Sequence, residues 1–220
     1  MKTPIFFGVR WLTPMYKKKR QLEMALQSIE TFKNPKVNLE QYQTPAKIAA
    51  DILWNAHAMG DIQGMKVADL ACGTGIFSIG SALLGAAEVV GVDVDPDAVE
   101  IARQETAQRG LGEVARYIMG DVTQFNEKAD TVIQNPPFGA QKINRKEIDR
   151  LFMKKAIEVA PVVYSFHIME TEEFVRNYFC KLGGEVTNVF RYRFPLPKIY
   201  DFHQKENFEV DVVVLRVLRD

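Results

Sequence analysis

From Gly64 onward, apolar positions fall in short β-branched runs separated by longer stretches with helical spacing. "KVADLA" (66–71), "EVVGVDV" (88–94), "VARYIMGDV" (114–122) and "KADTVIQN" (128–135) read as strands, and "GIFSIGSALLGA" (75–86) and "PDAVEIARQETAQRG" (96–110) as helices between the first three. This alternation predicts βαβ units on a parallel sheet, since a strand buried on both faces is apolar throughout and its crossover is a helix. A helical stretch at 145–160, the strand "PVVYSFH" (161–167) and a helix near 170–182 follow. Two last strands, "GEVTNVFRYRF" (184–194) and "EVDVVVLRVL" (209–218), are joined by a link without helical repeat, which predicts an antiparallel pair closing an α/β sheet.

Two helices are predicted upstream. Leu22, Leu26 and Ile29 recur at helical intervals, giving a helix over 18–33 that stops before Pro35. A second helix, over 45–58, takes Thr44 as N-cap, Pro45 as first residue, Ile48, Ile52 and Leu53 as its apolar face, and Gly60 as terminator. Residues 1–16 show neither period and are expected to be an appendage; residues 17–220 are expected to form a single domain.

Composition fits one globular domain: 220 residues, 47% apolar and 25% charged. No apolar run approaches a membrane span, and no signal-peptide pattern opens the chain, so a cytoplasmic protein is expected. Cys72 and Cys180 stand far apart without CxxC spacing, and neither a disulfide framework nor a metal site is expected. The net charge is zero but unevenly spread. Residues 61–140 carry 12 acidic and 5 basic side chains, against 9 basic and 4 acidic in 1–60 and 14 basic and 12 acidic in 141–220. An acidic middle suits a ligand with a positive centre, and basic flanks suit a polyanion; ordinary surface charge is the plainer alternative.

"VADLACGTG" (67–75) is a strand, an acidic residue, and a Gly-x-Gly turn into a helix. Gly73 and Gly75 allow backbone shapes and close approaches that a Cβ would hinder. A dinucleotide site would need a third glycine where Ser78 stands, and Asp69 would repel a pyrophosphate. The carboxylate instead suits the ammonium of S-adenosylmethionine, met directly or through water. Asp93, with Val94 beside it, ends the second strand where an acid can accept from two ribose hydroxyls. Asp121 and the N–H of Val122, after the third strand, are placed for an adenine amino group and ring nitrogen.

The fourth strand runs into "NPPF", Asn135, Pro136, Pro137 and Phe138, at the crevice where doubly wound sheets bind ligands. Two prolines stiffen the backbone and remove two N–H donors, leaving carbonyl acceptors and the Asn amide. An incoming NH2 can donate to Asn135 Oδ1 and to the Pro136 carbonyl while Phe138 stacks on its ring. A chance rigid loop is the alternative.

A base in folded RNA must be extruded to enter such a pocket. Residues 142–155, with six basic and two acidic side chains, and the cluster Lys17–Arg20 are then candidate phosphate contacts, or simply solvated helix faces. Tyr200, Phe202, His203 and Lys205 are suited to line a substrate entrance, or to pack as a hairpin. His167, alone at a strand end, is more readily structural than functional.

With these residues in place, the chain resembles the archaeal and eukaryotic methyltransferase-like-five family, adenine-N6 methyltransferases of small-subunit ribosomal RNA. The likeness runs from about Lys17 to the C-terminus. It rests on "LEQYQTP" (39–45), "VADLACGTGIFSIGSALLGA", "VGVDVDPDAVEI", "VIQNPPFGAQ", "VVYSFH", "YRFPLPKIYDFHQKE" and "EVDVVV". The resemblance implies a Rossmann-like class I methyltransferase fold of seven strands, with Gln41, Tyr42 and Thr44 covering the cofactor and residues 135–138 holding adenine. It also implies a small zinc-binding activator protein pairing along an edge strand, here near 114–119. Guanine N2 or a glutamine amide remains open as acceptor, since each presents an NH2 on a planar group, and so does a cofactor-binding RNA chaperone without turnover.

Overall fold

The computed structural model describes residues 14–36, 39–138, 145–196 and 208–219. Helices α1 (Lys19–Gln27) and α2 (Ala46–Ala58) come first. Then follow β1 (Lys66–Leu70), α3 (Ile76–Leu83), β2 (Glu88–Asp93), α4 (Pro96–Gln108), β3 (Ala115–Met119), β4 (Thr131–Gln134), α5 (Arg145–Val159), β5 (Val162–Ile168), α6 (Glu172–Lys181), β6 (Gly184–Leu196) and β7 (Phe208–Arg219). They form one seven-stranded sheet in the order β3-β2-β1-β4-β5-β7-β6. Only β7 runs against its neighbours, β5 and β6, as the link without helical repeat implied.

Period-two alternation sorts the strands' side chains onto two apolar layers. Val67, Val89, Ile133, Tyr164, Phe166 and Val214 face α1, α2 and α3. Ala68, Leu70, Val90, Val132, Val163 and Val213 face α5 and α6. Because β1 lies between β2 and β4, the strand order reverses there, and a crevice opens beyond the carboxyl ends of β1 and β4.

Two boundaries differ from the sequence pattern. Helix α1 ends at Gln27 rather than near residue 33: the Ser28 hydroxyl bonds back to the Ala25 carbonyl at 2.9 Å, and Ile29 is buried from the segment beyond the helix. Thr44 does not cap α2, its hydroxyl being bonded to Asn135; the N-cap position is held by Pro45, whose side chain has no group to cap with. Gly60 follows the helix end with φ +82°, the left-handed turn its sequence position predicted. Of the expected appendage, residues 1–13 lie outside the described residues, while the Met15 N–H donates to the Leu83 carbonyl at 2.9 Å. Among the described residues no helix is long and apolar enough to cross a membrane.

Candidate active site

A cleft of about 270 Å³ occupies the crevice. Its floor is Ala71–Thr74 and Phe77, one side is Asp93, Val94 and Gly120–Val122, and the other is Asn135–Pro137 with Ile148, Leu151 and Phe152 of α5. Phe32 and residues 39–44 cover it.

The floor is a left-handed turn. Ala71 (φ +60°), Gly73 (φ +53°) and Gly75 (φ +88°) all occupy the region that a Cβ disfavours. At Gly73 a Cβ would also stand 3.0 Å from the Phe32 ring. Gly75 serves a different purpose from the close ligand approach expected of it: it lies off the cleft, where a Cβ would meet the Tyr117 hydroxyl at 2.9 Å and Ala102 at 3.1 Å. Ala71 and Glu40 (φ +50°), both lining the cleft, are the non-glycine residues with positive φ among those described; strain of this kind gathers at functional sites.

Asp69 does not line the cleft. It is 1% exposed, with Oδ2 accepting from Ser78 N at 2.9 Å and Ser78 Oγ at 2.6 Å. Thus the serine that departs from the dinucleotide pattern holds the acid at the end of β1. Its other oxygen, Oδ1, is buried without a partner. Burial, opposed by the Ser78 bonds and reinforced by Asp93, pushes its carboxyl up to about 7.

Asp93 turns its carboxylate onto the backbone, accepting from Gly73 N at 2.8 Å and Asp95 N at 2.9 Å. Burial still raises its pKa, against those bonds. Asp121 accepts from the Thr123 N–H and hydroxyl, both at 2.8 Å, which hold its carboxyl below the usual range. The cover is pinned by contacts the sequence reading missed. Gln41 accepts from Lys36 N at 2.7 Å and donates to Asp95 Oδ2; Lys36 Nζ reaches Asp95 at 2.5 Å and Asp97 at 2.8 Å. Burial alone would raise the Asp95 carboxyl, but the Lys36 and Gln41 bonds bring it below its ordinary value.

On the opposite side Asn135 Nδ2 donates to Thr44 Oγ1 at 3.0 Å, which orients the amide and leaves Oδ1 buried without a partner. Pro136 and Pro137 line the cleft next to it. Phe138 is 4% exposed and does not line the cleft; its ring stacks on Tyr42 at 5.6 Å and meets Phe194 edge-on at 6.3 Å. His167 is buried between Ser165 and Asp149. Tyr200, Phe202, His203 and Lys205 lie outside the described residues, as do residues 139–144. Cleft residues from α5, and Phe32, gave no sequence signal beyond ordinary core periodicity.

Residues 45–160 match the family model of the methyltransferase small domain. An uncharacterized protein of Methanocaldococcus jannaschii is 41% identical over 91% of this chain and 94% of its own length. The rRNA N(6)-adenosine-methyltransferase METTL5 of Danio rerio is 36% identical over 90% of this chain and 98% of its own length. Among solved structures, a candidate RNA methyltransferase of Pyrococcus horikoshii superimposes with a TM-score of 0.85 at 40% identity, covering 93% of this chain and 98% of that one. With the left-handed turn, the spaced acids and the Asn-Pro-Pro corner in one cleft, the chain belongs to the methyltransferase small domain family, on the branch that contains the METTL5 rRNA methyltransferases.

Proposed function

We propose that this protein methylates the N6 amino group of an adenine in structured RNA, namely small-subunit ribosomal RNA, with S-adenosylmethionine as donor. The observation that carries this reading is Asn135: it lines the cleft, its amide is fixed by Thr44, and its Oδ1 is a buried acceptor without a partner. A buried acceptor without a partner costs about 1–3 kcal/mol, so leaving one at a binding cleft argues for a donor that arrives with a ligand.

The residues present fit the donor. Asp69 Oδ1, buried and unpartnered behind the turn, is a match for a cationic amino group reached through water. Asp93 and Val94 are assigned the ribose, Asp121 and Val122 the adenine ring, Gly73 and Gly75 the turn beneath, and Gln41, Tyr42 and Thr44 the cover. When bound, the donor supplies a methyl group already activated on a sulfonium. The protein's task is then alignment, which contributes up to about 7–11 kcal/mol at its best. Asn135 Oδ1 and the Pro136 carbonyl accept the two N–H groups of the target amine, turning its lone pair toward the methyl carbon. Pro137 stiffens the corner, and Phe138, whose expected place was against the base, is instead packed on Tyr42 off the cleft and supports the corner from behind. The proton released from nitrogen goes to water. Tyr200, Phe202, His203 and Lys205 are assigned to the substrate entrance, and the basic residues of 142–155 and Lys17–Arg20 to RNA phosphates.

The same reading includes a small zinc-binding activator along β3, which is an edge of the sheet and carries an exposed methionine, Met119. A ribosomal substrate also fits a cytoplasmic site of action. Methyl transfer from labelled donor into total RNA and into protein, followed by digestion to nucleosides and amino acids, tests the proposal. Label in N6-methyladenosine is expected; label confined to guanine N2 or glutamine would overturn the acceptor, and no turnover would favour a chaperone.

A further inference from the structure

Behind the Asn-Pro-Pro corner runs a buried chain of four polar side chains drawn from three elements. Gln134 Nε2, at the end of β4, donates to Ser165 Oγ of β5 at 2.8 Å. Ser165 Oγ lies 2.7 Å from His167 Nε2, and His167 Nδ1 lies 3.1 Å from Asp149 Oδ1 on α5. Gln134, Ser165 and His167 are fully buried and Asp149 is 5% exposed.

The directions of these bonds are mutually consistent. A carboxylate only accepts, so Nδ1–H donates to Asp149, and in the neutral imidazole Nε2 then accepts from the Ser165 hydroxyl. That leaves a Ser165 lone pair for the Gln134 amide. An apolar core of the same shape would be about as stable as such a network, so its presence argues for geometry rather than for stability. Gln134 carries a further penalty, because its Oε1 is buried without a partner while Nε2 is used in the relay.

The ends of the relay show which geometry is held. Gln134 immediately precedes Asn135, the residue with the open acceptor. Asp149 stands between Ile148 and Leu151, which line the cleft from α5. We infer that His167 is a positioning residue: through Ser165 and Gln134 on one side and Asp149 on the other, it fixes the Asn135 corner relative to α5 and so sets the shape of the cleft wall that these two build together. This rests on the proposed role of Asn135.

The test uses the full chain and whichever acceptor takes up label, so failure of the adenine assignment and failure of the relay are separate results. Ser165→Ala, the smallest break, is expected to lower kcat about tenfold with KM for RNA and donor affinity within about threefold. Asp149→Asn keeps an oxygen to accept from Nδ1 and is expected to retain most of kcat, whereas Asp149→Leu is expected to lose it. In an Asn135→Ala background, Ser165→Ala is expected to bring no further loss, since the relay acts through Asn135. The inference is overturned if Ser165→Ala lowers only the melting temperature and leaves kcat unchanged, or if the two losses multiply in the double variant.

Discussion

On the side of the cleft formed by β1, β2 and β3, the acids are held by the turns that follow these strands. Asp93 accepts the N–H groups of Gly73 and Asp95, and Asp121 accepts the N–H and the hydroxyl of Thr123. On the side formed by β4, Asn135 is oriented by Thr44, 91 positions away in the sequence, and keeps one buried oxygen without a partner. The first side is prepared within residues 73–123, by bonds among the turns that follow neighbouring strands. The second depends on distant elements meeting correctly, and in the proposed reaction it is the side where orientation governs rate. Binding and chemistry should therefore be separable by mutation.

Asn135→Ala breaks the second side alone. We expect kcat to fall by about 10²–10³, the scale of losing an oriented hydrogen-bonding group at a reacting centre, with donor affinity unchanged by calorimetry. Gly73→Val breaks the first. A β-branched residue at φ +53°, with a Cβ 3.0 Å from Phe32, is expected to cost about 2 kcal/mol in denaturant unfolding and to weaken donor binding, while leaving the acceptor side intact.

Asp69 sharpens the comparison through pH. Its folded carboxyl titrates at about 7, above the ordinary carboxylate value, so the folded state holds a proton that the unfolded state has lost. The associated stability is fully present below about pH 4 and is lost as pH rises through 7. A bound cation favours the ionised form instead, so donor affinity should rise about tenfold between pH 6 and pH 8. Asp69→Asn should flatten both slopes, as followed by chemical unfolding and calorimetry across that range. The smallest effect is expected from Ala71→Gly, which relieves φ +60° and should raise stability by up to about 1 kcal/mol.

This contrast also explains what could be read from the sequence. The strand-turn-helix of residues 67–75 and the acid that ends β2 are local patterns; Ala71–Thr74 and Asp93 line the cleft, while Asp69 is buried behind it and Gly75 faces Tyr117. The parallel sheet and its antiparallel close follow from the alternating apolar runs and the absence of a helical repeat before β7. Thr44 was misread as a helix cap because its actual partner, Asn135, is remote; a Thr-Pro pair before an apolar helix looks the same whether or not the hydroxyl is used elsewhere. Phe32 looked like the end of a helix, yet it covers Gly73. His167 reads as structural in the sequence, since only the fold brings Asp149 of α5 to its ring and Gln134 of β4 to the neighbouring Ser165.

The most direct test of the account is a crystal structure with S-adenosylhomocysteine and an adenosine-containing RNA fragment bound. The account requires the adenine amino nitrogen to lie about 3 Å from both Asn135 Oδ1 and the Pro136 carbonyl, facing the sulfur. An Asn135 oxygen bonded to another protein group, with the amino nitrogen held elsewhere, would contradict it.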